Sequence, residues 1–142
     1  MDVKSIFTKN ESSPEQSNVL IGYVSKNKGF KANYENYKSE SKKVSEVNTK
    51  LPQAKMVVIS AYWCPDCRNN VPKMTKIANG LPNWSFEIMD RDDKGVKEKY
   101  SIKKIPTFII YDEHEQELGR IIENPTSGSL EDDLLTIVQG KK

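Results

Sequence analysis

The sequence predicts an α/β fold, a mixed central sheet with helices on both faces, preceded by a helical extension. Three observations lead there. From residue 55 onward, short β-branched runs alternate with helix-patterned segments in the order β-α-β-α-β-β-α. A strand, a crossover helix and a second strand make a parallel pair, and the last two strands are close enough to form an antiparallel hairpin. Two of the helices also carry start signals, Pro65 at one and Ser129 at the other.

The first 12 residues are polar. "SSPEQSNVLIGYV" then reads as a helix with Ser13 as cap, Pro14 at its first position and Gln16 completing a capping box; Leu20, Tyr23 and Val24 would face inward. "NVLIGYV" also fits a strand. "KNKG" breaks the chain, and Phe30, Tyr34, Tyr37, Val44 and Val47 recur at helical spacing through residues 31–49, before Pro52. Residues 1–52 are therefore expected to be a helical extension of the same unit, and residues 53–142 its α/β part.

"KMVVISAY" is a buried strand by its β-branched content. "PDCRNNVPKMTKIANG" is a helix opened by Pro65, kinked by Pro72 and ended by Gly80. "WSFEIMD" is the next strand and "DDKGVKEKY" a short charged helix. "PTFIIYD" and "ELGRIIE" pair around the polar turn "EHEQ". In "GSLEDDLLTIVQ", Ser129 caps a helix that turns Leu130, Leu134, Leu135 and Val138 inward.

Length and composition exclude several classes. A chain of 142 residues with 36% hydrophobic and 30% charged residues can bury one core without staples. Net charge is +2, with seven Lys against three Glu in residues 26–50 and eight acids against Arg120 in residues 112–133. No basic stripe with interleaved aromatics exists, which argues against nucleic acid. "MDVKSIFTKNESSPEQ" lacks the apolar core of a signal peptide and no run is long enough to span a bilayer, so the expected location is cytoplasmic and away from membranes.

The two cysteines, Cys64 and Cys67, stand two residues apart where the first strand turns into its helix. Random placement gives that spacing in roughly one case in seventy. Residues three apart on a helix are neighbours, so a disulfide between them can close and reopen with little backbone movement. Unpaired N–H groups and the positive end of the helix dipole favour a thiolate at Cys64, the attacking species in disulfide exchange, while Cys67 can release the mixed intermediate. A structural disulfide is the poorer reading, since so small a loop removes little unfolded-state entropy. A zinc site lacks ligands: His114, in the predicted hairpin turn, is the one histidine, which leaves only a zinc-bridged dimer as an alternative.

With these residues in view, the chain resembles the thioredoxin family over about residues 53–140. "WCPDC" is similar to the family's Trp-Cys-x-x-Cys motif, Pro72 stands where its helix-kinking proline does, and "KKIPTFIIYD" resembles its cis-proline segment, with Pro106 lying 39 residues beyond Cys67. The resemblance implies a three-layer thioredoxin-like sandwich and a thiol–disulfide oxidoreductase in which Cys64 attacks and Cys67 resolves. It implies that Trp63, Pro65, Ile105 and Pro106 meet the substrate, with Ile105 offering backbone groups to an extended segment. No cofactor beyond the redox-active Cys64–Cys67 pair is implied, and the partners would be disulfide-containing proteins plus a reductase or a low-molecular-weight thiol as electron donor.

Several positions depart from the pattern. Asp66 replaces part of the common Gly-Pro spacer, and its carboxylate opposes a thiolate nearby. The family's buried Asp is Val58 here, and Ser60 stands in place of a Trp. Glu87 or Asp90 on the next strand would then tune proton transfer, Tyr62 and Trp63 would form an apolar rim, and Arg68 would add positive charge. An alternative reading is a redox-switched adaptor of the same fold without sustained turnover.

Overall fold

The computed structural model describes residues 18–140. Its centre is a sheet of four strands, β1 (Ala54–Ser60), β2 (Trp84–Asp90), β3 (Thr107–Tyr111) and β4 (Glu117–Ile122), in the order β2-β1-β3-β4. β1 pairs in parallel with β2, in register Val58 to Ile88, and antiparallel with β3, in register Val58 to Phe108. β3 and β4 form the expected antiparallel hairpin, with a bulge at Ile110/Tyr111. Exposed His114 sits in its turn.

Because β1 is central, it must be apolar on both sides. Met56 and Val58 on one face and Val57 and Ile59 on the other are all essentially inaccessible. The first face is covered by the crossover helix and the last helix (α4 and α6 in chain order), Pro65–Ala78 and Leu130–Gln139. Gly119 of β4 lets α6 close in, since a Cβ there would stand 3.0 Å from the Ile137 side chain. A short helix, α5 (Val96–Tyr100), lies over the other face, where the Arg120 guanidinium donates to the Tyr100 carbonyl at 2.9 Å. The α4 helix keeps Pro72 inside it, and Ser129 Oγ caps α6 by accepting the Asp132 N–H.

The amino-terminal segment forms three short helices, α1 (Val19–Ser25), α2 (Lys28–Asn36) and α3 (Ser41–Lys50). "NVLIGYV" is thus helical rather than a strand, capped by the Asn18 side chain on the Leu20 N–H. The predicted cap at Ser13, Pro14 and Gln16 lies outside the described residues. The single helix expected over residues 31–49 is two, because Tyr37 takes up an extended conformation (φ −82°, ψ 136°) and sends its hydroxyl to Glu131.

These helices share the main core. Leu20, Phe30, Val44 and Val47 bury themselves in one cluster with Met74, Ile77, Phe108 and Leu134. α2 lies along α4, where the Asn33 amide donates to the Arg68 carbonyl at 2.8 Å. α3 lies along α6, where Glu131, wholly buried, accepts from the Tyr37 hydroxyl and from the Glu40 N–H at 2.9 Å. Val44 of α3 approaches so closely that a Cβ on Gly80 would stand 2.6 Å from its methyl.

Candidate active site

The site forms where β1 stops. After Ser60 the chain turns through Ala61, Tyr62 and Trp63, and the Cys64 N–H donates back to the Ala61 carbonyl at 3.3 Å. Cys64 then serves as the cap of α4 in an extended conformation, φ −90° and ψ 120°. Its sulfur accepts the Cys67 N–H at 3.3 Å, the role that Ser or Asp plays at other helix starts. Pro65 fits the first helical position because an N–H there would have no partner.

Both cysteines are free thiols, but their surroundings differ. Cys64 is buried but keeps 6% of its surface accessible, whereas Cys67 is sealed at 0%. Burial pushes the Cys67 thiol up to about 12; the adjoining Cys64 sulfur adds to this, while the Ser60 hydroxyl and the Ala61 backbone work against it. At neutral pH Cys67 therefore holds its proton, and Cys64 is the sulfur left to react.

The Ile105–Pro106 peptide bond is cis. Both residues are buried, and the Ile105 carbonyl receives the Cys64 thiol at 3.7 Å. The segment is fastened from behind. The Glu123 N–H donates to the Pro106 carbonyl at 2.7 Å, and the amide of buried Asn70 on α4 donates to the Glu123 carbonyl at 2.9 Å. Asn70 thus ties the cysteine helix to the proline loop. Sequence reasoning missed it; a buried-face Asn six residues after Cys64 was the available signal.

The remaining predicted residues divide. Trp63 is 60% exposed beside the cysteines, its indole N–H donating to Asp92 at 3.0 Å and the Arg91 guanidinium lying 5.9 Å from its ring. That hydrogen bond holds the Asp92 carboxyl below the usual carboxylate range. Pro65 and Arg68 are exposed and Asp66 half-buried in the first turn of α4. Tyr62 is not a rim residue like Trp63, because it stacks on Tyr23 of α1 with ring centres 4.2 Å apart and meets Phe30 edge-on.

Glu87 is not brought to the cysteines. It lies opposite Val57, three residues before the end of β2, and its carboxylate pairs with Lys55 at 3.1 Å. Val58 is apolar and fully buried. Asp90 stands beside Ser60 at the strand ends, close enough for its charge to act on Tyr23 and Tyr62. The polar group that does reach Cys67 is Ser60, which sequence analysis noted only as a replaced Trp. Its signal was a lone hydroxyl ending the apolar run "KMVVIS".

Among the described residues no group of three or more His, Cys, Asp or Glu side chains could hold a metal ion. No described helix is long and apolar enough to cross a membrane.

A family model described as Thioredoxin matches residues 13–129. The chain belongs to the thioredoxin family. Thioredoxins are thiol–disulfide oxidoreductases, and the paired sulfurs at the helix start fit that chemistry. A thioredoxin H-type from Fagopyrum esculentum is 36% identical over 99 residues, 65% of this chain and 80% of that relative. The solved thioredoxin of Fasciola hepatica superposes with a TM-score of 0.51 at 30% identity, covering 68% of this chain and 88% of that one. A Pseudomonas aeruginosa protein of unknown function shares the fold over more of the chain, 92% of this one and 86% of that one, with a TM-score of 0.57 at 19% identity.

Proposed function

We propose that this thioredoxin reduces protein disulfides by dithiol exchange through Cys64 and Cys67. The observation that carries the reading is the pairing of a slightly accessible sulfur at the helix start, served by the Cys67 N–H at 3.3 Å, with a second sulfur sealed completely as a thiol. Cys64 attacks a substrate disulfide, forming one S–S bond to the substrate and releasing the other substrate sulfur with the electron pair. Cys67 then attacks Cys64, closing the internal disulfide and releasing the second substrate sulfur. Two electrons pass to the substrate, and no cofactor is needed to hold them.

The backbone at Ile105 and Pro106, with exposed Trp63 and Pro65, forms the surface an extended substrate segment would meet. Disulfide-containing proteins are the substrates, and a reductase or low-molecular-weight thiol returns the electrons. The composition favours a cytoplasmic setting, where reduction is the prevailing direction. Replacing Cys67 by Ser is expected to trap a dithiothreitol-sensitive covalent adduct between Cys64 and a partner protein, and to abolish catalysed insulin reduction. Absence of any adduct together with undiminished turnover overturns the proposal.

A further inference from the structure

The sealed sulfur has a hydroxyl partner of its own. Ser60, at the end of β1, is fully buried, as is Cys67, and its hydroxyl is near enough to the Cys67 sulfur to favour the thiolate against burial. Behind it, the Tyr23 hydroxyl donates to Ser60 Oγ at 3.1 Å, across 37 residues of sequence. A serine hydroxyl whose oxygen is occupied by an incoming donor directs its own proton elsewhere, and the group on its other side is the Cys67 sulfur. The Tyr23 ring is fixed by its stack on Tyr62 at 4.2 Å and by the edge of Phe30 at 5.8 Å, and Tyr62 in turn donates to the Tyr23 carbonyl. Tyr23 and Tyr62 also line an open groove with Val19, Ile88 and Asp90, so the chain of hydroxyls runs from a sealed sulfur towards solvent.

We infer that Ser60 is a catalytic residue for the second exchange step, donating a hydrogen bond from its hydroxyl to the Cys67 sulfur as that sulfur becomes a thiolate, and that Tyr23 of the amino-terminal helices is the positioning residue that aims it. This rests on the dithiol exchange proposed above. In the step concerned, the Cys67 thiol loses its proton, the Cys67–Cys64 bond forms and the bond from Cys64 to the substrate sulfur breaks. The electron pair leaves on the substrate sulfur, and the proton shed by Cys67 ends on that sulfur or on water. Ser60 keeps its proton throughout and stabilises the anion by a charge-assisted hydrogen bond. Burial, ahead of any neighbouring charge, pushes the Tyr23 phenol well above its usual range, so it stays a donor while Cys67 ionises. The function that the family places on a buried carboxylate, at the position of Val58, is thereby met by two neutral hydroxyls, one of which comes from outside the α/β part of the chain.

The test uses the reduced full chain and the chromogenic disulfide dithiobis-nitrobenzoate. Attack by Cys64 releases one thionitrobenzoate, and attack by Cys67 on the resulting mixed disulfide releases the second, so the two steps appear as separate phases. Ser60→Ala is expected to slow the second phase roughly tenfold or more relative to the first, the range of one charge-assisted hydrogen bond. Tyr23→Phe keeps the ring and its stack and removes the hydroxyl; it should slow the second phase in the same sense by less, with the double variant no slower than Ser60→Ala. Between about pH 7 and 9 the second-phase rate of Ser60→Ala should run parallel to the wild type but displaced, needing about one more pH unit for the same rate. A loss of packing would slow both phases and leave no such displacement. A second phase unchanged in Ser60→Ala, or slowed only together with the first, overturns the assignment of Ser60, and a wild-type second phase in Tyr23→Phe overturns that of Tyr23. A wild-type protein that shows no first phase would instead sink the dithiol exchange itself.

Discussion

Removing the Tyr37 hydroxyl tests whether the amino-terminal helices are fastened by charge as well as by packing. That hydroxyl lies 2.9 and 2.8 Å from the two oxygens of Glu131, a side chain with no accessible surface. A hydrogen bond to a charged group contributes about 1.5–3 kcal/mol. Tyr37→Phe keeps the half-buried ring in place, but it leaves a buried carboxylate with the Glu40 N–H as its remaining donor from this segment. The cost should therefore fall in the upper half of that range, about 2–3 kcal/mol. For a domain of this size it corresponds to a Tm lower by about 8–12 °C. Urea and thermal unfolding of the wild type, Tyr37→Phe, Glu131→Gln and the double variant complete a double-mutant cycle. The expected coupling is about 1.5–3 kcal/mol. A coupling within about 0.5 kcal/mol of zero would refute the reasoning, because the two side chains would then be neighbours without an energetic tie.

Two further outcomes follow from packing and titration. Gly80→Ala should destabilise by about 1–3 kcal/mol, because the new methyl meets Val44 at 2.6 Å, and adding Val44→Ala should return part of the loss; strictly additive urea midpoints would exclude that contact as the cause. Stability of the reduced protein should fall as pH rises above about 9. The Cys67 thiol, pushed up to about 12 by burial, keeps its proton in the folded state after the unfolded chain has lost it. In that window the unfolded state binds fewer protons, so the slope is negative, about 1.4 kcal/mol per pH unit from this one group. Tyr23 and Tyr37, both raised by burial first, add losses of the same sign at higher pH. A denaturation midpoint that stays flat between about pH 9 and 11, or an equally steep fall in Cys67→Ser, would contradict this.

Much of the α/β part was legible because its signals are local. Pro65, Pro72 and Ser129 hold the positions in their helices that their chemistry predicts, and "WSFEIMD" is a strand from its first to its last residue. The break between α2 and α3 was not legible. Phe30, Tyr34, Tyr37, Val44 and Val47 keep one helical phase across it, and "YKSESK" contains neither Gly nor Pro. What ends α2 is the Tyr37 hydroxyl reaching a carboxylate 94 residues away. The site shows the same division. Cys64, Cys67 and Pro106 follow from spacing and resemblance, whereas Ser60 gains its place only through Tyr23, on a helix with no sequence link to β1. Glu87 failed for a related reason: alternation along β2 fixes its side of the sheet, but not that Lys55 already occupies its carboxylate.

Glu87 nonetheless has a consequence where it stands. Among the described residues β2 is an outermost strand, and such a strand presents unpaired amides and carbonyls to any passing chain. Here the exposed stretch carries Ser85 and a carboxylate at Glu87, with α1 packed along the same strand. A second molecule that tried to continue the sheet would have to lodge its own Glu87 against a like charge and displace a helix. The acid that the chemistry does not use is placed to keep neighbouring copies from zipping together.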